Sequence, residues 1–98
     1  MNIEQTRNRN ALTIAPEGYL DTTTAPELRA VLETALDGVT ELTFDFEKLE
    51  YISSSGLRQL LFAQKTMNEQ GTMKVIHVND TIREIFEVTG FADILTIE

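Results

Sequence analysis

Three consecutive serines, Ser53, Ser54 and Ser55, form the most chemically distinctive segment of the sequence, and Gly56 follows them directly. A serine hydroxyl can accept a hydrogen bond from the free N–H groups at the start of a helix, so the run is typical of a helix N-terminus. The same N–H groups, with the positive end of the helix dipole, favour a bound anion. The run therefore predicts hydroxyls that cap a helix or carry a phosphate, and spacing alone does not choose between these roles.

A serine nucleophile is the enzymatic interpretation of the same run. In this hypothesis Ser54 is activated by His77, the single histidine of the chain, with Asp45 or Asp21 orienting the imidazole. The nucleophile elbow of α/β-hydrolases requires glycine two residues before the serine, and Ile52 stands there. The pattern therefore favours a protein that is not an enzyme and has no catalytic residue.

Composition limits the class of ligand. Sixteen acidic residues against eight basic ones give a formal net charge of −8, which disfavours binding to nucleic acid. The absence of cysteine excludes disulfides, zinc–thiolate sites and iron–sulfur clusters, and a single histidine excludes a histidine-rich metal site. No glycine-rich phosphate-binding motif occurs, so we expect no cofactor and no metal.

Length and hydropathy suit one domain over residues 1–98. The opening residues lack the apolar stretch of a signal peptide, and no window approaches the ~18 apolar residues of a membrane span. We therefore expect a soluble, cytoplasmic protein with no membrane span.

Hydrophobic periodicity predicts the element order β-β-α-β-α-β-α-β. Strands alternating with helices imply an α/β fold with right-handed crossovers, and the opening hairpin makes the sheet mixed, with four to five strands and three or more helices. The predicted strands are a weak one before the turn Arg7–Asn10, then Ala11–Pro16, Glu41–Phe46, Met73–Val78 and Ile94–Ile97; the helices run from Thr24 to Gly38, from about Ser55 to Gln70, and from Asn79 to Gly90.

Local signals refine these boundaries. Thr24 and Glu27 have the spacing of a capping box, and Asn79 is a second cap candidate. Gly71 is placed to end the second helix. The charged segment Glu47–Glu50 is predicted to be a solvated loop.

Two motifs resemble the signatures of the STAS domain, the family of bacterial anti-sigma factor antagonists. The segment Tyr51–Arg58 is similar to the serine signature of the family, and Gly18–Leu28 is similar to its Gly-x-Leu/Val-Asp-x-x-Thr-Ala-x-x-Leu motif. The strand Leu42–Phe46 precedes the serine turn at the family spacing, and Gly90-Phe91 also fits. The resemblance covers essentially the whole chain.

The resemblance implies a function. An anti-sigma factor antagonist of this family binds an anti-sigma factor, itself a serine protein kinase, while unphosphorylated, and this regulates sigma-factor-dependent transcription. Phosphorylation of the serine two places before the glycine, Ser54 here, releases the complex, and a serine phosphatase restores it. Ser53 departs from the aspartate that many members carry before the phosphorylated serine.

The resemblance also implies a set of partner-binding residues around Ser54. An alternative within the family is a non-phosphorylated scaffold subunit of a lipid-transport ATPase or of a stressosome-like assembly. The residues expected to contact a partner are Asp21, Thr22, Ser53, Ser55, Gly56, Leu57 and Arg58.

Overall fold

The computed structural model describes all 98 residues, which form six strands and three α-helices. A short 3-10 helix, Phe91–Asp93, follows the last α-helix. The elements are β1 (Ile3–Asn8), β2 (Ala11–Pro16), β3 (Gly18–Leu20), α1 (Ala25–Ala35), β4 (Glu41–Asp45), β5 (Leu49–Ile52), α2 (Ser54–Gln70), β6 (Thr72–Ile76) and α3 (Asp80–Thr89).

The main sheet has four strands in the order β1-β2-β4-β6. β1 pairs antiparallel with β2, whereas the β2–β4 and β4–β6 pairs are parallel. This arrangement confirms the predicted mixed sheet. None of the three α-helices combines the length and apolar character that crossing a bilayer requires.

A second, two-stranded sheet joins β3 and β5 in parallel. Periodicity did not predict either strand, because they have three and four residues and because neighbouring Glu50 and Tyr51 are both exposed. Gly18, with φ of +90°, lets the chain turn from β2 into β3. The solvated loop expected at Glu47–Glu50 is wrong at its last two residues, because Leu49 and Glu50 belong to β5 and Leu49 is only 1% exposed.

The predicted C-terminal strand Ile94–Ile97 is also wrong. Only Ile97 pairs there, through a single parallel bridge to Val75, after the 3-10 turn. The strand predicted to reach Val78 ends at Ile76, because His77 adopts a left-handed conformation with φ of 58°. The observed order is therefore β-β-β-α-β-β-α-β-α.

The core lies between the helices and one face of the main sheet. Its rows follow the strand register: Leu12, Leu42 and Met73 align, and all three are buried. The neighbouring row of Thr13, Thr43 and Lys74 faces the opposite side and is more exposed. On the core-facing sides of the helices, Leu28, Leu32, Leu57, Leu60 and Phe86 are buried, whereas Val31, Leu61 and Ile85 are half-buried.

Candidate functional site

The parallel β3–β5 pair brings two turns to the same edge. Leu20 aligns with Ile52, so the residues after the two strands, Asp21 and Ser53, emerge side by side. The backbone N–H of Ser53 donates to the carbonyl oxygen of Leu20 at 2.8 Å. The turn that leads into α1 therefore lies beside the serine turn that leads into α2.

Ser53 is the N-cap of α2. Its backbone is extended, with φ of −95° and ψ of 177°, and its hydroxyl accepts a hydrogen bond from the backbone N–H of Gly56 at 3.5 Å. The helix then begins at Ser54. The helix N-terminus predicted from the serine run is confirmed.

Ser55 is engaged by the neighbouring turn. Its hydroxyl oxygen lies 3.1 Å from the hydroxyl oxygen of Thr22, so the two side chains share a hydrogen bond between the two turns. Ser55 is half-buried, whereas Thr22 is exposed. The hydroxyl of Ser55 thus joins the loop before α1 to the first turn of α2.

Ser54 differs from both neighbouring serines. It is exposed at the first position of α2, and its hydroxyl makes no hydrogen bond within the chain. An exposed hydroxyl at a helix N-terminus is open to an incoming enzyme, and the nearby N–H groups favour negative charge. Of the three hydroxyls, that of Ser54 alone is both exposed and without a partner.

Gly56 and Leu57 are buried behind the serine turn. A Cβ added at Gly56 would lie 2.7 Å from Cγ1 of Ile52 and 2.8 Å from Cγ of Leu20, so glycine is what lets α2 approach the ends of both short strands. Leu57 is 4% exposed and belongs to the core. In the isolated chain these two residues position the serine turn, and contact by either with a partner stays a prediction.

Asp21 organises the turn before α1. Its Oδ1 accepts hydrogen bonds from the backbone N–H groups of Thr23 at 3.0 Å and Thr24 at 3.1 Å, and from the hydroxyl of Thr24 at 3.2 Å.

The predicted capping box is wrong: Thr24 is the N-cap of α1, but its side chain accepts no hydrogen bond from the helix. The Thr24 hydroxyl is instead directed back toward Asp21 and the carbonyl oxygen of Tyr19, at 2.7 Å.

Two arginines flank the serine turn. Arg58 and Arg29 line a shallow cleft between α1 and α2, together with Thr22 and Ser55. Arg58 is exposed one helical turn after Ser54, and residues four apart on a helix lie on one face. The guanidinium of Arg29 stacks on the ring of Phe62 at 3.7 Å. The chain is acidic as a whole, yet cationic groups lie beside the serines.

His77 pairs with Asp45 and not with the serines. Its Nδ1 lies 2.8 Å from Oδ1 of Asp45; Asp45 is the last residue of β4, and His77 is the first residue after β6. A serine nucleophile needs a hydrogen bond to its base, and Ser54 has none. Asp45, Glu47 and His77 are also the one group of side chains whose ligand atoms lie close enough, within 4.8 Å, to hold a metal ion, and two of these three side chains are already joined by the His77–Asp45 hydrogen bond.

The pair shifts both pKa values. The hydrogen bond that His77 donates to the carboxylate of Asp45 raises the pKa of His77 above its ordinary value, more than partial desolvation lowers it. Partial burial raises the pKa of Asp45, but its hydrogen bonds with His77 and with the backbone N–H of Glu47 outweigh this, so the net pKa is lowered. At a pH between the ordinary pKa of an aspartate and that of a histidine, Asp45 is negatively charged and His77 is positively charged, so the two side chains attract each other.

Comparison with known proteins places this geometry in a family. A model of the STAS domain matches residues 2–98. The chain is 30% identical to an anti-sigma-B factor antagonist of Staphylococcus aureus, over 99% of this chain and 92% of that protein. These relatives carry names of regulatory proteins, not of enzymes.

Solved structures share the fold. An anti-sigma factor antagonist from Mycobacterium paratuberculosis superposes with a TM-score of 0.88 at 18% identity, covering 98% of this chain and 83% of that one. The Bacillus cell fate determinant SpoIIAA, solved in its phosphorylated form, gives a TM-score of 0.77 at 23% identity, covering 99% and 91% of the two chains. At 18% and 23% sequence identity, these two structures show that the chains share a fold.

The hydrogen bonds of Asp21 predict a stabilising role. Asp21→Ala should lower the free energy of unfolding by about 0.5–2 kcal/mol, because the N–H groups of Thr23 and Thr24 lose their acceptor. Asp21→Asn should cost less, since the amide oxygen can still accept. Urea unfolding measures the difference, and Glu87→Ala, an exposed carboxylate that makes no side-chain hydrogen bond, controls for the change in charge. Equal stability of Asp21→Ala and wild type would refute this role.

The His77–Asp45 pair predicts a pH dependence of stability. Because the His77 pKa is raised by folding, its contribution is complete below about pH 6.5 and is lost as pH rises through the folded-state pKa. Because folding lowers the pKa of Asp45, the contribution of Asp45 to the free energy of unfolding is present above about pH 4 and is lost in more acidic solution. The melting temperature of wild type should therefore exceed that of Asp45→Asn most near pH 5–6, and by less at pH 8. A difference that stays constant from pH 5 to 8 would contradict the pairing.

Proposed function

This chain belongs to the STAS domain family, and we propose that it is an anti-sigma factor antagonist switched by phosphorylation of Ser54. Unphosphorylated, it binds an anti-sigma factor that is also a serine kinase, and so regulates sigma-factor-dependent transcription in the cytoplasm. A serine phosphatase restores the binding form. The observation that carries the proposal is the exposed hydroxyl of Ser54, which has no partner at the head of α2.

A phosphate on Ser54 is compatible with the fold. It would add about −1.5 to −2 charges at the N-terminus of α2, where the helix dipole favours an anion. Arg58 follows at the i,i+4 spacing and can approach the added charge. Because Ser54 packs against nothing that a phosphate would displace, the modification needs no refolding of the domain.

The phosphate instead weakens association with the anti-sigma factor. At an interface, a dianion must lose its water and must face whatever charges the partner presents, so an uncompensated phosphate opposes association. Asp21, in the adjoining turn, adds a carboxylate to the same surface and raises the local negative charge. Thr22, Ser53, Ser55 and Arg58 surround Ser54 and complete the proposed contact surface.

Likeness to known proteins supports both the type of partner and the phosphorylation that we propose. The S. aureus relative is named as an antagonist of an anti-sigma factor, which supports the type of partner. SpoIIAA has been solved in unphosphorylated and phosphorylated forms, which supports the compatibility of this fold with the modification. The hydrogen bonds of Ser53 and Ser55 favour Ser54 as the acceptor in this chain.

Binding by two variants of Ser54 tests the switch. Ser54→Ala should bind the anti-sigma factor as wild type does, and should stay bound when ATP is added, because it offers no hydroxyl. Ser54→Asp should bind weakly, since a carboxylate supplies part of the charge and desolvation cost of a phosphate. Calorimetric titration with and without ATP measures both effects.

A matched substitution at a neighbouring serine is the control. Ser53→Ala changes one hydroxyl of the same turn but leaves Ser54 in place, so its complex should still dissociate with ATP. Equal affinity of Ser54→Ala and Ser54→Asp would reject the switch. Failure of the unmodified protein to bind any anti-sigma factor would reject the antagonist function and favour a scaffold role.

A further inference from the structure

Apolar side chains lie exposed beside the serine turn. Tyr19, Tyr51 and Val88 are 56%, 40% and 79% exposed. Tyr19 aligns with Tyr51 across the β3–β5 pair, and their ring centroids lie 6.2 Å apart. Val88 and the half-buried Ile85 come from α3 and line a shallow groove with Tyr51. We call Tyr19, Tyr51, Ile85 and Val88 the tyrosine patch.

We propose that the tyrosine patch is the apolar centre of the surface that binds the anti-sigma factor, with Ser54 at the edge of that surface. The inference rests on the proposed function and extends it, because the residues of the patch come from β3, β5 and α3, outside the serine turn. Neither motif that resembles the family includes Ile85 or Val88.

A protein interface of ordinary size that includes Ser54 is large enough to include the tyrosine patch as well. A standard interface covers about 800 Å² on each partner, which corresponds to a radius of about 16 Å. Tyr51 precedes Ser54 by three residues, and three extended residues span at most about 11 Å. A kinase that acts on Ser54 and binds through a standard interface can therefore also cover Tyr51, and with it the ring of Tyr19, which is tilted by 39° to that of Tyr51.

The chemistry of the patch suits a centre of binding. Tyrosine is enriched among the few interface residues that carry most of the binding free energy, because it buries a large rigid surface and keeps a polar group. The serine turn itself offers small polar groups, and those of Ser53 and Ser55 are already engaged. Apolar burial at the patch can supply the affinity that the switch at Ser54 then opposes.

Carboxylates at the patch indicate the charge of its partner. Glu84 lines the groove with Ile85 and Val88, and the exposed Glu50 precedes Tyr51. With a formal net charge of −8 on the whole chain, these carboxylates favour a partner whose apolar contact is bordered by Lys or Arg. The fitting occupant is a protein surface with an apolar projection and a cationic rim.

Calorimetric titration against the anti-sigma factor that captures the unmodified protein tests the patch. Val88→Asp and Tyr51→Ala should each raise the Kd at least tenfold, whereas Tyr51→Phe should change it less than threefold, because it retains the ring. Thr6→Asp is the matched control for charge: Thr6 is exposed on the edge strand β1, outside the patch, and this variant should bind as wild type does. Thermal melts establish that each variant is folded.

The outcomes separate this inference from the proposed function. Wild-type affinity in Val88→Asp and Tyr51→Ala, with weak binding by Ser54→Asp, would overturn the patch and leave the switch intact. No binding by the unmodified protein would reject the proposed function itself. A dimer of wild type in light scattering that Val88→Asp converts to a monomer would show that a second copy covers the patch, and would also overturn the inference.

Discussion

The parallel pairing of β3 with β5 is the constraint on which the site depends. These strands have only three and four residues, yet their register aligns Leu20 with Ile52 and so places the turn of Asp21 beside the turn of Ser53. Gly56 completes the arrangement, because any side chain there would meet both strand ends and push α2 away. The same pairing places the tilted rings of Tyr19 and Tyr51 side by side at the neighbouring surface, with their centroids 6.2 Å apart. A small sheet thus fixes both the serine turn and the tyrosine patch.

Hydrogen bonding divides three adjacent hydroxyls into different roles. Ser53 caps the helix and Ser55 joins Thr22, so both have partners within the fold. Ser54 begins the helix and has none. Breaking a hydrogen bond that the fold uses costs about 0.5–1.5 kcal/mol, whereas modification of Ser54 breaks none. The fold therefore leaves one of the three serine hydroxyls, that of Ser54, exposed and without a hydrogen bond.

The sequence predicted the long elements and the start of α2, because long periodic segments and caps carry strong local signals. It did not predict β3 and β5, since short strands show little alternation and their stability comes from contacts between distant segments. The same limit explains the C-terminal error: Ile94–Ile97 is apolar enough for a strand, but the turn at Phe91–Asp93 leaves one bridge. The serine motif located the site, whereas the exposure of Val88 and Tyr51 required the tertiary structure.

Mass-spectrometric mapping of the phosphate tests the central claim most directly. The unmodified protein is incubated with the anti-sigma factor kinase and ATP, and the peptide that contains Ser53, Ser54 and Ser55 is fragmented to place the phosphate. We expect a single phosphate on Ser54, with Ser53 and Ser55 unmodified, because the hydroxyls of Ser53 and Ser55 already form hydrogen bonds within the fold. A phosphate on Ser53 or Ser55 with Ser54 unmodified would contradict it.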